Sequence, residues 1–358
     1  MMKNKIRRVK IGSLAIGAQE PVLIQSMTNT KTKDVSATLE QINSLYKAGC
    51  EIIRVAVASD DDIDSFRTIT KNSPMPVVAD IHFNYKLAIK AIEAGAAKVR
   101  VNPGNLGGLD KLFEVSKAAK GRAAIRVGVN SGSLPQKYVK LIKSEEISRA
   151  KAMALAAKEY VDFLDEKGFN DIVVSLKASD VPSTIAANRQ FRLSSDIPLH
   201  LGVTEAGTFF SGSIKSAVGL GTLLMEGIGE TIRVSLTADP VEEIKVAREI
   251  LKACGIRTLG PTVISCPTCA RTNIDIYALA KDVEKLLTDI KEDITVAVMG
   301  CAVNGPGEAK EADLGIAGGK GEGLIFVRGE VVEKVQESDL LSRFQFHLDR
   351  IVEAKKTG

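Results

Sequence analysis

The first chemical signal in this chain comes from three cysteines. Cys266 and Cys269 flank two residues in Cys266-Pro267-Thr268-Cys269, and Cys301 sits in Met299-Gly300-Cys301-Ala302-Val303-Asn304-Gly305-Pro306-Gly307-Glu308. The first spacing lets two thiolates reach one metal centre, and the Gly- and Pro-rich loop lets backbone approach a cluster closely. A structural zinc site would want a fourth Cys or His, yet His82, His200 and His347 are the only histidines and none is near these loops in sequence. A [4Fe–4S] cluster with a weak or open fourth position fits better. Cys50 and Cys254 fall at helix ends and read as small structural hydrophobes. Five cysteines in 358 residues do not make a disulfide framework, which suits a reducing, cytoplasmic setting.

The second signal is cationic. Eight short β-rich runs each precede a helical pattern: Pro21–Met27, Glu51–Val57, Pro76–Ile81, Lys98–Asn102, Ala123–Asn130, Asp171–Lys177, Pro198–Thr204 and Thr231–Thr237. Parallel strands covered on both faces should be continuously apolar. Five runs break that rule with Arg54, Arg100, Arg126, Lys177 and Arg233. Alternation puts Arg100 with Asn102, Arg126 with Gly128 and Asn130, and Arg233 with Ser235 on one face. Internal salt bridges are the plainer explanation, but only Asp80 and Glu205 occupy comparable strand-end positions. Unpaired buried charge is expensive, and a bound polyanion resolves the imbalance, since Arg is suited to bidentate phosphate contacts. Asp80 and His82 point the same way under alternation, His82 reading equally well as a structural residue. Glu205 is the best-placed proton donor or base, although it could serve only as a counter-ion to the arginines.

Strands alternating with helices imply right-handed βαβ units and a parallel sheet, and eight units over this length match a closed (β/α)8 TIM barrel. A doubly wound sheet would want a glycine fingerprint after the first strand, and none is there. The runs Val9–Ile11 and Leu14–Ile16 look like a hairpin plugging the barrel bottom. Residues 1–258 are therefore expected to form the substrate-binding barrel. Past Arg257–Pro261 the pattern changes to short strands and helices, so residues 259–358 form a small α+β cluster domain. A net charge of +4 excludes a nucleic-acid-wrapping protein, and no apolar run suits a membrane span. The basic N-terminus lacks an apolar segment behind it and does not read as a secretory signal.

With these motifs the chain resembles the 4-hydroxy-3-methylbut-2-enyl diphosphate synthases of the methylerythritol phosphate route to isoprenoids. The resemblance spans essentially the whole chain, through Val22–Thr28, Ala79–Phe83, Arg100–Asn105, Arg126–Ser133, Thr204–Gly207, Cys266–Cys269 and Met299–Glu308. It implies a compact bacterial form without an inserted middle domain, and a second domain like that of sulfite and nitrite reductases. It implies reductive ring opening of 2-C-methyl-D-erythritol 2,4-cyclodiphosphate with loss of water, driven by reduced flavodoxin or ferredoxin. The cyclic diphosphate would be the missing polyanion, held by Arg54, Asp80, His82, Arg100, Asn102, Arg126, Asn130, Lys177, Arg233 and Ser235, with Glu205 protonating the leaving hydroxyl. From its motif alone Glu308 reads as a surface carboxylate; the resemblance makes it the resting fourth ligand beside Cys266, Cys269 and Cys301. It also implies a head-to-tail homodimer in which each cluster caps the partner's barrel. Two other readings are a barrel transferase acting on a diphosphate ester, related in shape to dihydropteroate synthases, and an iron–sulfur sensor or electron-transfer module. The three-thiolate count and the cation-lined barrel argue against both.

Overall fold

The structure is a computed structural model that describes residues 6–272, 274–301 and 310–357. It divides into two compact units, Met1–Arg257 and Thr258–Gly358. The first opens with an antiparallel hairpin of β1 (Val9–Ile11) and β2 (Leu14–Ile16). Eight parallel strands follow: β3 (Leu23–Met27), β4 (Ile52–Ala56), β5 (Val77–Asp80), β6 (Lys98–Val101), β7 (Ala124–Asn130), β8 (Ile172–Lys177), β9 (His200–Leu201) and β10 (Thr231–Ile232). They pair in the order β8-β7-β6-β5-β4-β3-β10-β9, and a parallel bridge from Val174 to Leu199 joins the two ends. The result is the expected (β/α)8 barrel.

Its connecting helices start where the sequence supplies caps. Asp34 accepts from the Ala37 amide ahead of Val35–Ala48, and Asp239 accepts from Val241 ahead of Pro240–Ala253, with Pro at the first helical position. The seventh and eighth strands are far shorter than their sequence runs, which places Glu205, Arg233 and Ser235 beyond the strand ends. The mouth of the barrel is therefore loop-built on that side.

Side chains that enter the barrel change character along its axis. At the N-terminal end Leu23, Ile52, Val78, Ala124 and Val173 form an apolar layer closed by Val9, Ile11 and Ile16 of the hairpin. The hairpin is thus a plug, as its apolar spacing suggests. One alternation step further along the same strands come Gln25, Arg54, Asp80 and Arg126. Burying such groups is unfavourable without partners, so the polar layer calls for a functional explanation.

The second unit is a five-stranded mixed sheet with helices Ile276–Leu286 and Leu340–Thr357. Its strands are β11 (Thr262–Ser265), β12 (Thr295–Met299), β13 (Leu314–Gly318), β14 (Glu322–Val327) and β15 (Glu330–Gln336), paired in chain order. β11, β12 and β13 are mutually parallel; β14 and β15 complete the sheet antiparallel. Val296, Val298, Leu314, Ile316 and Ile325 pack against Ile276, Val283, Phe344 and Leu348 to make its core.

Candidate active site

Strand register brings the predicted cations together. Arg100 pairs with Asp80 on one side and Arg126 on the other, and Met27 pairs with Arg54. Asp80 is the shared acid: its Oδ1 is 3.4 Å from Arg100 Nη1 and 4.0 Å from Arg54 Nε, and its Oδ2 is 3.3 Å from His82 Nε2. Burial pushes the Asp80 carboxyl up, but Arg54, Arg100 and Arg126 outweigh it and hold the group below the usual carboxylate range. Burial likewise drives Arg54 down to about 9, against the pull of Asp80.

Arg126 is the most telling residue. It is 1% exposed, and its Nε and Nη1 have no hydrogen-bond partner among the described residues. Arg100 Nε and Arg233 Nε are orphaned in the same way. Burial first, then Arg54 and Arg100, drive the Arg126 guanidinium well below its ordinary pKa. A guanidinium keeps its charge in a protein, so this layer holds buried positive charge that an anion would offset.

Over this layer lies a cavity of about 360 Å³. Its lining includes His82, Arg100, Asn102, Asn130, Lys177 and Glu205 from the sequence-derived set. Arg54, Asp80, Arg126, Arg233 and Ser235 are not in its lining; Arg54 and Asp80 reach it through the Asp80 ion pairs. Asn102 has a local task as well, since its Oδ1 accepts from the Gly104 amide while its Nδ2 donates to Ser133 Oγ at 2.7 Å. Glu205 is exposed at the rim and has a backbone φ of +54°, a left-handed conformation that costs a non-glycine residue about 1–3 kcal/mol.

Two features differ from the sequence expectation. The second acid paired with the cations is Glu243, from the first turn of Pro240–Ala253, not Glu205: its Oε2 is 3.6 Å from Arg233 Nη2, and it also takes the Ser26 hydroxyl and the Leu236 amide. Helix residues were outside a strand-based count, so the pattern hid it. A sixth cation, Lys98, is 0% exposed and donates to Gln25 Oε1 at 3.2 Å. It stands one alternation step before Arg100, a signal available in the sequence. Also unassigned there are His200 beneath Lys177 and the cavity-lining Asn105, Ser131, Ser133, Ser179 and Thr204.

The cysteines follow from the second sheet. β11 and β12 are paired in parallel from Thr262↔Thr295 to Ser265↔Val298, so the chain leaves both at the same edge, just before Cys266 and Gly300-Cys301. The Gly300 amide donates to Cys266 Sγ at 3.2 Å, the contact expected for a thiolate. A Cβ at Gly300 would stand 3.0 Å from both Thr272 Cγ2 and Thr272 Oγ1, so this close approach favours glycine. Hydrogen bonding by Arg271 lowers the Cys269 thiol, which is exposed, whereas Cys301 is buried. The donor set is chemically suited to iron and sulfide: soft thiolates on two loops at one sheet edge, with backbone N–H directed at sulfur. Among the described residues no three His, Cys, Asp or Glu side chains are gathered closely enough to hold a single metal ion. Glu308 lies outside the described residues. No helix among them is long and apolar enough to cross a membrane.

Comparison with known proteins gives a family match in each unit: the GcpE TIM-barrel domain over residues 6–248 and the GcpE protein C-terminal domain over residues 262–350. A relative from Geobacillus thermodenitrificans, named 4-hydroxy-3-methylbut-2-en-1-yl diphosphate synthase (flavodoxin), is 52% identical over 98% of this chain and 93% of its own. A relative of the same name from Geobacter sulfurreducens is 51% identical over 99% of this chain and 100% of its own. Among solved structures, N-acetylneuraminic acid synthetase from Leptospira borgpetersenii superposes with a TM-score of 0.50 at 13% identity, over 70% of this chain and 90% of its own. At that identity the last likeness shows the fold alone.

Proposed function

Because the chain belongs to the GcpE family, with both of the family's domains in order, we propose that it is a 4-hydroxy-3-methylbut-2-enyl diphosphate synthase. It opens the ring of 2-C-methyl-D-erythritol 2,4-cyclodiphosphate by two-electron reduction and releases water, a step in the methylerythritol phosphate pathway. The relatives' shared name supports this reading and lends none to a barrel transferase. The observation that carries it is the Arg126 guanidinium, buried beneath a cation-lined cavity with two nitrogens unpartnered among the described residues. A cyclic diphosphate supplies the acceptor oxygens that Arg100, Arg126 and Arg233 lack.

In this reading Arg54, Arg100, Arg126, Lys177 and Arg233 hold the diphosphate, with Asp80 keeping two of the arginines aimed. Asn102, Asn130, His82 and Ser235 fix its orientation at the mouth. Glu205, on its strained rim loop, delivers the proton to the departing hydroxyl. Cys266, Cys269 and Cys301 would hold a [4Fe–4S] cluster, with Glu308 as the fourth ligand. When bound, that cluster supplies the two electrons singly, drawn from reduced flavodoxin. The working unit is a head-to-tail homodimer in the cytoplasm, each barrel served by the partner's cysteine domain.

The test is anaerobic purification followed by turnover. We expect a brown protein with about four irons per chain that converts the cyclic diphosphate when supplied with reduced flavodoxin. A colourless protein with no turnover after anaerobic reconstitution with iron and sulfide would overturn the assignment.

A further inference from the structure

Beneath the cavity lies a buried histidine that neither the sequence motifs nor the proposed chemistry uses. His200 is 0% exposed on β9. Its Nε2 is 3.4 Å from Lys177 Nζ at the end of β8, and its Nδ1 is 2.9 Å from Thr231 Oγ1 on β10. The ring therefore bridges three strand ends, with Lys177 reaching on into the cavity lining.

Burial and then the neighbouring arginines, Arg126 first, push the Lys177 ammonium well below its ordinary pKa. In its charged form it has three donors and no acceptor, so Nε2 accepts from it. The ring proton then belongs on Nδ1, where it donates to the Thr231 hydroxyl. Burial, followed by the charges of Arg126 and Lys177, holds the imidazole well below its ordinary pKa, which keeps Nε2 available as an acceptor. The space beside the ammonium is shaped too. A Cβ at Gly202 would fall 2.4 Å from Lys177 Nζ and 2.8 Å from the Arg233 carbonyl oxygen, so only glycine leaves that lane open.

We propose that His200 is a positioning residue for Lys177: with its Nδ1–H bonded to the Thr231 hydroxyl, it accepts from the lysine ammonium at Nε2 and sets the point at which that cation enters the anion site. His200 itself touches no substrate. An ammonium on a flexible stem carries considerable rotamer freedom, and anchoring it in advance removes part of the ordering otherwise required on binding. What Lys177 then holds, a diphosphate oxygen, rests on the functional reading above; the anchoring does not.

Two measurements decide it, and the first needs no substrate. With three histidines in the chain, the ring nitrogens of His200 are assignable in 15N-labelled protein by their loss in His200→Gln. We expect a neutral Nδ1–H ring whose Nε2 resonance moves in Lys177→Met and whose tautomer balance loosens in Thr231→Val. An Nε2–H tautomer, or an Nε2 signal indifferent to Lys177→Met, overturns the proposal.

The second is a double-mutant cycle on cyclic diphosphate binding, read by calorimetry. His200→Phe should weaken binding about tenfold, the scale of one hydrogen bond to a charged group. It should cause no further loss in the Lys177→Met background, and His200→Gln should recover most of the affinity because its carboxamide oxygen offers the acceptor again. Equal losses in both backgrounds would make His200 a packing residue only. A wild-type protein that neither binds nor reduces the cyclic diphosphate overturns the functional assignment instead, and the ring spectra still decide the positioning role.

Discussion

Arg100 and Arg126 occupy directly paired positions on adjacent parallel strands, β6 and β7, and both are buried. Asp80 ion-pairs with Arg100 across the neighbouring pair, but among the described residues Arg126 is left with two unpartnered nitrogens. Like charges placed side by side on a sheet repel, and here the low-dielectric barrel interior sharpens the effect. The fold holds this arrangement at the expense of its own stability.

Arg126→Met should therefore act in opposite directions on stability and binding. Removing an unpaired buried cation should stabilise the substrate-free protein by about 1–3 kcal/mol. The same change should weaken cyclic diphosphate binding roughly 10- to 100-fold through lost charge-assisted hydrogen bonds. Denaturant unfolding without substrate and calorimetry with it would check both signs. A variant less stable than wild type would mean that Arg126 has a partner after all.

Asp80 should make the barrel acid-sensitive. Its folded pKa lies below the usual carboxylate value despite burial, because Arg54, Arg100 and Arg126 favour the ionised form. The unfolded chain, with a value near ~3.9, then binds more protons than the folded one as the medium is acidified. The contribution is fully present above ~pH 4 and is lost as pH falls toward the depressed folded value. Asp80→Asn should thus be less stable than wild type at neutral pH, by about 3 kcal/mol for a broken buried pair. The gap should close on acidification, and a constant gap from pH 7 to 3 would show that Asp80 is not the titrating group.

How much of this was legible in the sequence depended on which residues broke a pattern. Arg100 and Arg126 stand out because a parallel strand buried on both faces should carry no charge. Alternation then assigned their direction, and the barrel put them where alternation said. Lys98 carries the same signal, but as the first residue of its run it reads as a strand boundary. Glu243 was illegible because its helix brings it to Arg233 from outside the strand set, a tertiary relation with no local period. His200 was hidden for a related reason: its partners Lys177 and Thr231 are 23 and 31 residues away in the chain. The Cys266–Cys269 spacing is local and can be read from the sequence, while the shared edge at which β11 and β12 end, just before Cys266 and Gly300-Cys301, required the sheet.

Glu205 offers a test of stored strain. Its φ of +54° is readily adopted by glycine but costs other residues about 1–3 kcal/mol. Glu205→Gly should leave stability unchanged or raise it by about 1 kcal/mol, while abolishing turnover. Glu205→Gln should keep substrate affinity and lose kcat, since the amide cannot deliver the proton. Thermal melts beside steady-state kinetics would separate the two effects. A Gln variant with unchanged kcat would remove Glu205 from the proton step.

The proposed head-to-tail dimer makes a quantitative prediction about mixtures. Let one parent carry Cys301→Ser, which disables the cluster, and the other Arg126→Ala with Glu205→Gln, which disables the barrel. Each should be inactive alone. If every working site joins one chain's barrel to the partner's cysteine loops, a mixed dimer has one site bearing both lesions and one bearing neither. Random exchange makes about half the dimers mixed, so activity should rise to about a quarter of wild type. If instead each chain serves its own barrel, every site in the mixture carries a lesion and activity stays at the parental level. Mass-tagged subunits would establish that exchange has occurred, so a flat result with exchange complete would exclude the shared site.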